Sequence, residues 1–304
     1  MLKRTGIVLV AVAAAMWGFD QWIRASLKGS VSASTIVFGE HVLLVALTLP
    51  LAFTALRTVI RLGWRHVLAA VLIGAGASAV ATILFTQALF AHGDFVTPVV
   101  LQKIQPVFAV IGAMVLLGER PRARFALFLV PALVGTWFMG VAHPFHPRAH
   151  GVATMLYALG AALLWALGTV LGRYLARDMR FEHITTLRFI FGLGGSGVAL
   201  LVLGEPAFSS WHNSWWIAVL ALVTGFAAMF IYYFGLRWTP AVLATIAELA
   251  YPITAVLIGY FKFGQTLTGW QWFGVALTAI VVALLPARPR DAVDSVSAAS
   301  PQPA

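Results

Sequence analysis

Lys103-Ile104-Gln105-Pro106-Val107-Phe108-Ala109-Val110 runs on to Leu117-Gly118-Glu119, and later in the chain Leu249-Ala250-Tyr251-Pro252-Ile253-Thr254-Ala255-Val256 runs on to Phe263-Gly264-Gln265. Pro106 aligns with Pro252 and Gly118 with Gly264 without a gap. The loops ahead of them, Gly93-Asp94-Phe95-Val96 and Thr239-Pro240-Ala241-Val242, align as well. A further match links Ala13-Ala14-Ala15-Met16-Trp17-Gly18 to Ala161-Ala162-Leu163-Leu164-Trp165-Ala166, each placing a tryptophan after small residues. Self-similarity of this kind marks an internal duplication.

Each copy is embedded in apolar sequence. Of 304 residues 61% are hydrophobic and 10% charged, whereas roughly a quarter are charged in a soluble domain. Ten apolar stretches can be read: Thr5 to Arg24, Ser34 to Leu56, His66 to Phe90, Val96 to Leu117, Phe125 to Ala142, Gly151 to Leu175, Ile184 to Gly204, Ser214 to Leu236, Ala241 to Phe263 and Thr268 to Pro286. About twenty helical residues at roughly 1.5 Å each cross the hydrocarbon core. None of the stretches shows the period-two alternation of barrel strands, so they are read as helices. The expected fold is an all-α membrane protein of ten transmembrane helices. Five spans per copy is an odd number, which starts the second copy on the opposite side of the membrane and makes the repeats inverted. Residues 1–142 are expected to form the first five-helix repeat, 143–150 a periplasmic linker, 151–287 the second repeat, and 288–304 a disordered cytoplasmic tail rich in Ala, Ser, Pro and Asp.

The net charge of +10 is a topology signal rather than a nucleic-acid footprint. Lys3, Arg4, Arg57, Arg61, Arg65, Arg120, Arg122, Arg124, Arg173, Arg177, Arg180, Arg237, Arg288 and Arg290 fall in alternate loops, and the intervening loops hold only Arg24, Lys28, Arg148 and Lys262. The positive-inside rule then puts both termini in the cytoplasm. Lys3-Arg4 before an apolar run imitates a signal peptide, but removing that segment would break the charge alternation. With no cysteine, disulfides, thiolate metal sites and a thiol nucleophile are excluded.

Trp17, Trp165, the two proline-centred spans and the phrase Leu116-Leu117-Gly118-Glu119-Arg120 together resemble the EamA-type branch of the drug/metabolite transporter superfamily, from about Gly6 to Leu285. The resemblance implies a central cavity lined mainly by spans 1, 3, 4, 6, 8 and 9, with spans 5 and 10 at the periphery. Gln265-Thr266 departs from the Glu-Arg pair that often stands at that place in the second half. Inverted repeats permit alternating access around a site near the midplane. The expected protein is therefore a multi-pass secondary transporter of the bacterial inner membrane that exports or exchanges a small organic metabolite, an amino acid or related carboxylate.

Ionisable residues inside a bilayer are costly, and each is a functional candidate. Lys103 and Gln102 precede Pro106 by one turn, where the ring and missing N–H loosen the helix, and Lys103 suits a carboxylate. Glu248 holds the same place before Pro252 and is the expected proton-coupling group. Glu40, His41, Asp20 and Arg188 are further coupling or charge-pair candidates, with Lys103–Glu40 and Arg188–Glu248 as structural pairings. Trp17, Trp165, Gln87, Tyr232, Tyr233 and Tyr251 are expected to contribute an amphipathic pocket that stacks and hydrogen-bonds a partly apolar solute. Pro106 and Pro252 are the expected hinges.

Gly192-Leu193-Gly194-Gly195-Ser196-Gly197 matches a dinucleotide fingerprint, but it lies in an apolar span without the required strand and fits close helix packing better. His143, His146 and His150 sit in a proline-rich joint with no acidic partner nearby in sequence, and read as linker. Trp211, Trp215 and Trp216 read as an interfacial belt. No metal, cofactor or catalytic set is expected, which argues against an intramembrane enzyme. A broad drug exporter and a non-transporting receptor or assembly subunit are the alternatives. The expected partners are a small-molecule solute and the lipid bilayer, with proton coupling and a homodimer also admitted, and no nucleic acid.

Overall fold

The computed structural model describes residues 2–90, 101–122, 125–141, 144–145, 152–285 and 293–295. Seven helices are long and apolar enough to cross a membrane: Thr5–Ala25, Ala33–Leu62, Trp64–Phe90, Val152–Leu175, Phe181–Leu203, Trp211–Leu236 and Ala241–Phe263. Three shorter apolar helices, Gln105–Leu117, Ala126–Gly140 and Gly269–Ala283, pack among them. The 143–150 joint with its three histidines lies outside the described residues apart from 144–145.

Local chemistry fixes the ends. Ser32, Ser210 and Thr268 accept the backbone N–H of Thr35, Asn213 and Gln271 and so cap the helices that follow; these groups would otherwise be orphaned. Gly118, Gly204 and Gly264 end their helices at φ of 64°, 65° and 63°, a left-handed turn that glycine adopts without penalty.

Several long helices are irregular within the bundle. Leu2–Trp17 is separated from Asp20–Ala25 at Gly18 and Phe19. Wide π turns occupy Leu72–Val80 and Ala221–Ala227, in corresponding parts of the two copies. Before each aligned proline the helix is broken, at Lys103-Ile104 and at Glu248-Leu249. Pro106 has no N–H for the carbonyl of Gln102, nor Pro252 for that of Glu248, and each ring crowds that carbonyl. The breaks follow directly from the motif.

Small residues allow close approach between the helices. A Cβ on Gly195 would meet the Cα of Ala75 at 2.7 Å, and one on Gly192 would strike the His41 ring. The glycine run in Phe181–Leu203 is thus a packing surface. Gly135 and Gly274 bring Ala126–Gly140 and Gly269–Ala283 into a peripheral pair, where a Cβ on Gly274 would strike the Met139 backbone. Trp211 and Trp215 are exposed. Val293–Ser295, from the stretch read as tail, pairs antiparallel with Glu119–Pro121; all other regular structure described is helical.

Candidate functional site

The irregular helices surround a cavity of about 1030 Å³ with the open solvent at its mouth counted in. The first helix contributes Trp17, Asp20 and Arg24, the second Glu40, His41 and Leu44, and the π-containing third Ser78, Thr82 and Phe85. Gln102 and Gln105 come from either side of the Lys103 break, and Glu248 and Tyr251 from either side of the matching break. Trp165, Thr169, Arg188, Thr224 and Tyr232 complete the polar and aromatic wall. No described residue of Ala126–Gly140 or Gly269–Ala283 lines it. Two more helices contribute than the resemblance implied, Ala33–Leu62 and Phe181–Leu203.

Three features define its chemistry. Arg24 donates through Nε to both Asp20 oxygens at 2.8 and 2.7 Å and through Nη2 to Glu40 at 2.8 Å. One buried cation thus joins two acids. Glu248 Oε1 accepts from the Tyr232 hydroxyl at 2.7 Å and the Thr169 hydroxyl at 3.0 Å, while Oε2 accepts from Gln105 Nε2 at 2.8 Å. Three donors from three helices hold one carboxylate, as a buried acid requires. Aromatic faces make up much of the remainder: Trp17 lies 5.1 Å from Tyr232 and Phe85 lies 5.1 Å from Trp165. Tyr251 is fixed by Gln21, which donates to its hydroxyl at 2.7 Å.

The structure brings together most of the expected residues. Trp17, Trp165, Tyr232, Tyr251, Gln102, Glu248, Glu40, Asp20, His41 and Arg188 all line the cavity. His41 bridges the carbonyl of Val37 at 2.7 Å and the hydroxyl of Ser78 at 2.9 Å.

Five expectations change. Glu40 pairs with Arg24 rather than Lys103, because Arg24 lies one helical turn after Asp20 and points inward with it. Arg188 makes no ion pair with Glu248 among the described residues; its Nη1 donates to the Tyr233 hydroxyl at 3.3 Å and its Nη2 to the Ala77 carbonyl at 3.5 Å. Tyr233 is fully buried behind the wall and supports Arg188 there. Gln87 is half-buried and does not line the cavity, which takes Thr82 and Phe85 from that helix. Lys103, Pro106 and Pro252 line a smaller adjoining pocket instead, with Lys103 Nζ 5.1 Å above the Tyr251 ring.

Arg24, Gln105 and Thr169 were missed. Arg24 reads as a loop charge unless its i,i+4 spacing from Asp20 is noticed. Gln105 stands inside the repeated motif, and Thr169 lies one turn beyond Trp165 on the same face.

Outside the spans, Glu119 is buried where the Gln105–Leu117 helix ends. It accepts the N–H groups of Ala241 and Val242 at 3.3 and 3.2 Å, capping Ala241–Ala247 from the other copy. Burial raises its pKa, opposed by those N–H groups and by Arg173.

A helical membrane bundle with broken, proline-centred helices around a polar and aromatic cavity defines the membrane-carrier class. The family model described as the EamA-like transporter family matches residues 4–141 and again 152–286, and the chain belongs to that family. It is 28% identical to the riboflavin transporter ImpX of Fusobacterium nucleatum, over 91% of this chain and 96% of the relative. It is 27% identical to the uncharacterized transporter YwfM of Bacillus subtilis, over 93% and 94%. A riboflavin transporter of Rhizobium johnstonii is 26% identical, over 84% and 81%. One crystal structure superposes with a TM-score of 0.71 at 17% identity, covering 91% of this chain and 95% of that one, a likeness of fold alone.

Proposed function

We propose that this protein is a ten-span carrier of the bacterial inner membrane, with both termini in the cytoplasm, that moves a planar hydrogen-bonding metabolite of the flavin class by alternating access of two inverted halves. The supporting observation is the cavity itself: aromatic faces on its walls and a carboxylate, Glu248, held by Tyr232, Thr169 and Gln105. Aromatic walls stack a flat heterocycle, and a few placed polar groups orient it. The names of two relatives agree with this solute class.

An amino acid or simple carboxylate fits the main cavity less well. Arg24 already carries two acids, Arg188 is engaged by Tyr233 and Ala77, and Lys103 lies in the adjoining pocket. In the proposed cycle the solute stacks between Trp17 and Tyr232 on one side and Phe85 and Trp165 on the other. Glu248 exchanges its three protein donors for solute or a proton, and the breaks at Lys103-Ile104 and Glu248-Leu249 let the flanking helix segments tilt separately.

Flux into proteoliposomes tests this. Saturable, protein-dependent movement of riboflavin that is weakened in Glu248→Gln is expected. Movement of amino acids with no flavin flux would overturn the solute class in favour of the carboxylate reading.

A further inference from the structure

Beside the main cavity, lined by residues of both helix breaks, lies a pocket of about 220 Å³ with the adjoining solvent space counted in. Its lining includes Lys103, Thr245 and the two prolines, and it shares Gln102, Gln105, Glu248 and Tyr251 with the cavity. Three polar atoms of these lining residues are buried without a hydrogen-bond partner among the described residues: Lys103 Nζ, Thr245 Oγ1 and Gln102 Oε1. The residues are only 5%, 1% and 8% exposed.

Unsatisfied buried polar groups are uncommon and call for a cause, and a buried ammonium without an anion is the costliest of them. The Tyr251 ring beneath Lys103 offsets part of that cost but accepts no hydrogen bond from Thr245. Glu248 does not act as counter-ion. It lies beyond ion-pair distance of Lys103 among the described residues, and both its oxygens are engaged by Tyr232, Thr169 and Gln105.

Two donors, one of them able to carry a positive charge, and one acceptor make a specific set. We infer that the pocket of Lys103, Thr245 and Gln102 binds a small oxyanion that still carries a hydroxyl, such as hydrogen phosphate or a phosphate monoester with one proton. Lys103 and Thr245 donate to its charged oxygens, and its hydroxyl donates to Gln102 Oε1. Sulfate has similar size and charge but no proton near neutrality, and leaves Gln102 facing a bare oxygen. Chloride leaves Gln102 unsatisfied altogether.

The site is tested on the purified full-length protein in detergent, in gluconate buffer of constant ionic strength, by thermal shift with inorganic phosphate, sulfate or chloride. A ligand that binds only the folded state raises its apparent stability. Phosphate is expected to raise the melting temperature saturably and at lower concentration than sulfate or chloride. Lys103→Met should weaken the response by roughly tenfold or more, the scale of a lost charge-assisted hydrogen bond. Thr245→Val, close in shape, should weaken it less, and Gln102→Leu should remove the preference for phosphate over sulfate. Should Lys103→Met fail to fold, Thr245→Val and Gln102→Leu carry the test alone. No saturable response in the wild type, or equal responses to all three anions that these variants leave unchanged, overturns the assignment.

Competition separates the two sources of such a group. If riboflavin 5′-phosphate displaces inorganic phosphate and riboflavin does not, the oxyanion belongs to a solute; if neither competes, the site takes a free ion. Since binding is read without flux, its failure is distinct from failure of the flavin-carrier reading.

Discussion

The Tyr232 hydroxyl donates to Glu248 at 2.7 Å, and the Tyr232 ring stands 5.1 Å from Trp17. One side chain therefore belongs to both the acid cluster and the aromatic wall. Tyr232→Phe keeps the ring and deletes one donor to a buried carboxylate. The loss of one such bond is about 1.5–3 kcal/mol for a charged acceptor, so we expect solute affinity or transport rate to fall by roughly tenfold or more. Glu248→Gln should impair transport further while leaving the bundle folded. Initial-rate uptake into proteoliposomes, beside melting curves of both variants, checks this; wild-type rates in Tyr232→Phe would remove Tyr232 from the site.

Arg24 is the keystone of the other polar cluster. It holds Asp20 and Glu40 together with 4% of its own side chain exposed. Removing one partner of a buried ion cluster typically costs about 3–5 kcal/mol, because the remaining charges are left uncompensated. Arg24→Met should therefore lower the apparent melting temperature strongly. Adding Asp20→Asn and Glu40→Gln to Arg24→Met should recover much of the loss. If the triple variant is no more stable than Arg24→Met, the cluster is not the cause.

The repeated motif made much of this legible in sequence. Pro106 and Pro252 locate the helix breaks because the physics of proline is local, and the cavity residues Gln102 and Glu248 stand one turn before them. Side-chain direction was the harder part. Lys103 and Gln102 are adjacent, yet Lys103 opens on the side pocket alone, because successive helical residues point about 100° apart and the break begins at Lys103 itself. Arg24 and Glu40 belong to separate spans, so their pairing depends on tertiary packing that no local pattern encodes. The π turns at Leu72–Val80 and Ala221–Ala227 have no reliable sequence signal; they show only as Gly- and Ala-rich stretches.

Gly192 converts a misleading motif into a structural requirement. A Cβ there would strike the His41 ring, which lies between the Val37 carbonyl and Ser78 on the cavity wall. Gly192→Ala should displace His41 and cost about 1–3 kcal/mol, the usual penalty for overpacking, with a loss of transport beyond the loss of folded protein. Gly194, which faces no atom within 4 Å of an added Cβ, is the control, and its alanine variant should melt and transport like the wild type.

Glu119 links the two copies at one end of the bundle: it follows the Gly118 turn that ends the Gln105–Leu117 helix, and its carboxylate caps Ala241–Ala247. Burial raises its pKa above the ordinary glutamate value of 4.5, so the folded state holds a proton that the unfolded chain has already released. Its titration therefore contributes stability that is full below the ordinary value and is lost as pH rises through the raised one. Glu119→Gln does not titrate and should flatten that part of the stability profile, read as melting temperature from acidic to neutral pH. Glu119→Ala leaves the Ala241 and Val242 N–H groups without their acceptor, and a buried unsatisfied group costs about 1–3 kcal/mol. Because this contact joins segments that the proposed cycle would move apart, Glu119→Ala should also shift the balance between conformations. Faster cleavage or labelling near Ala241 in the variant, with solute restoring protection, would show that shift; unchanged accessibility would confine Glu119 to capping.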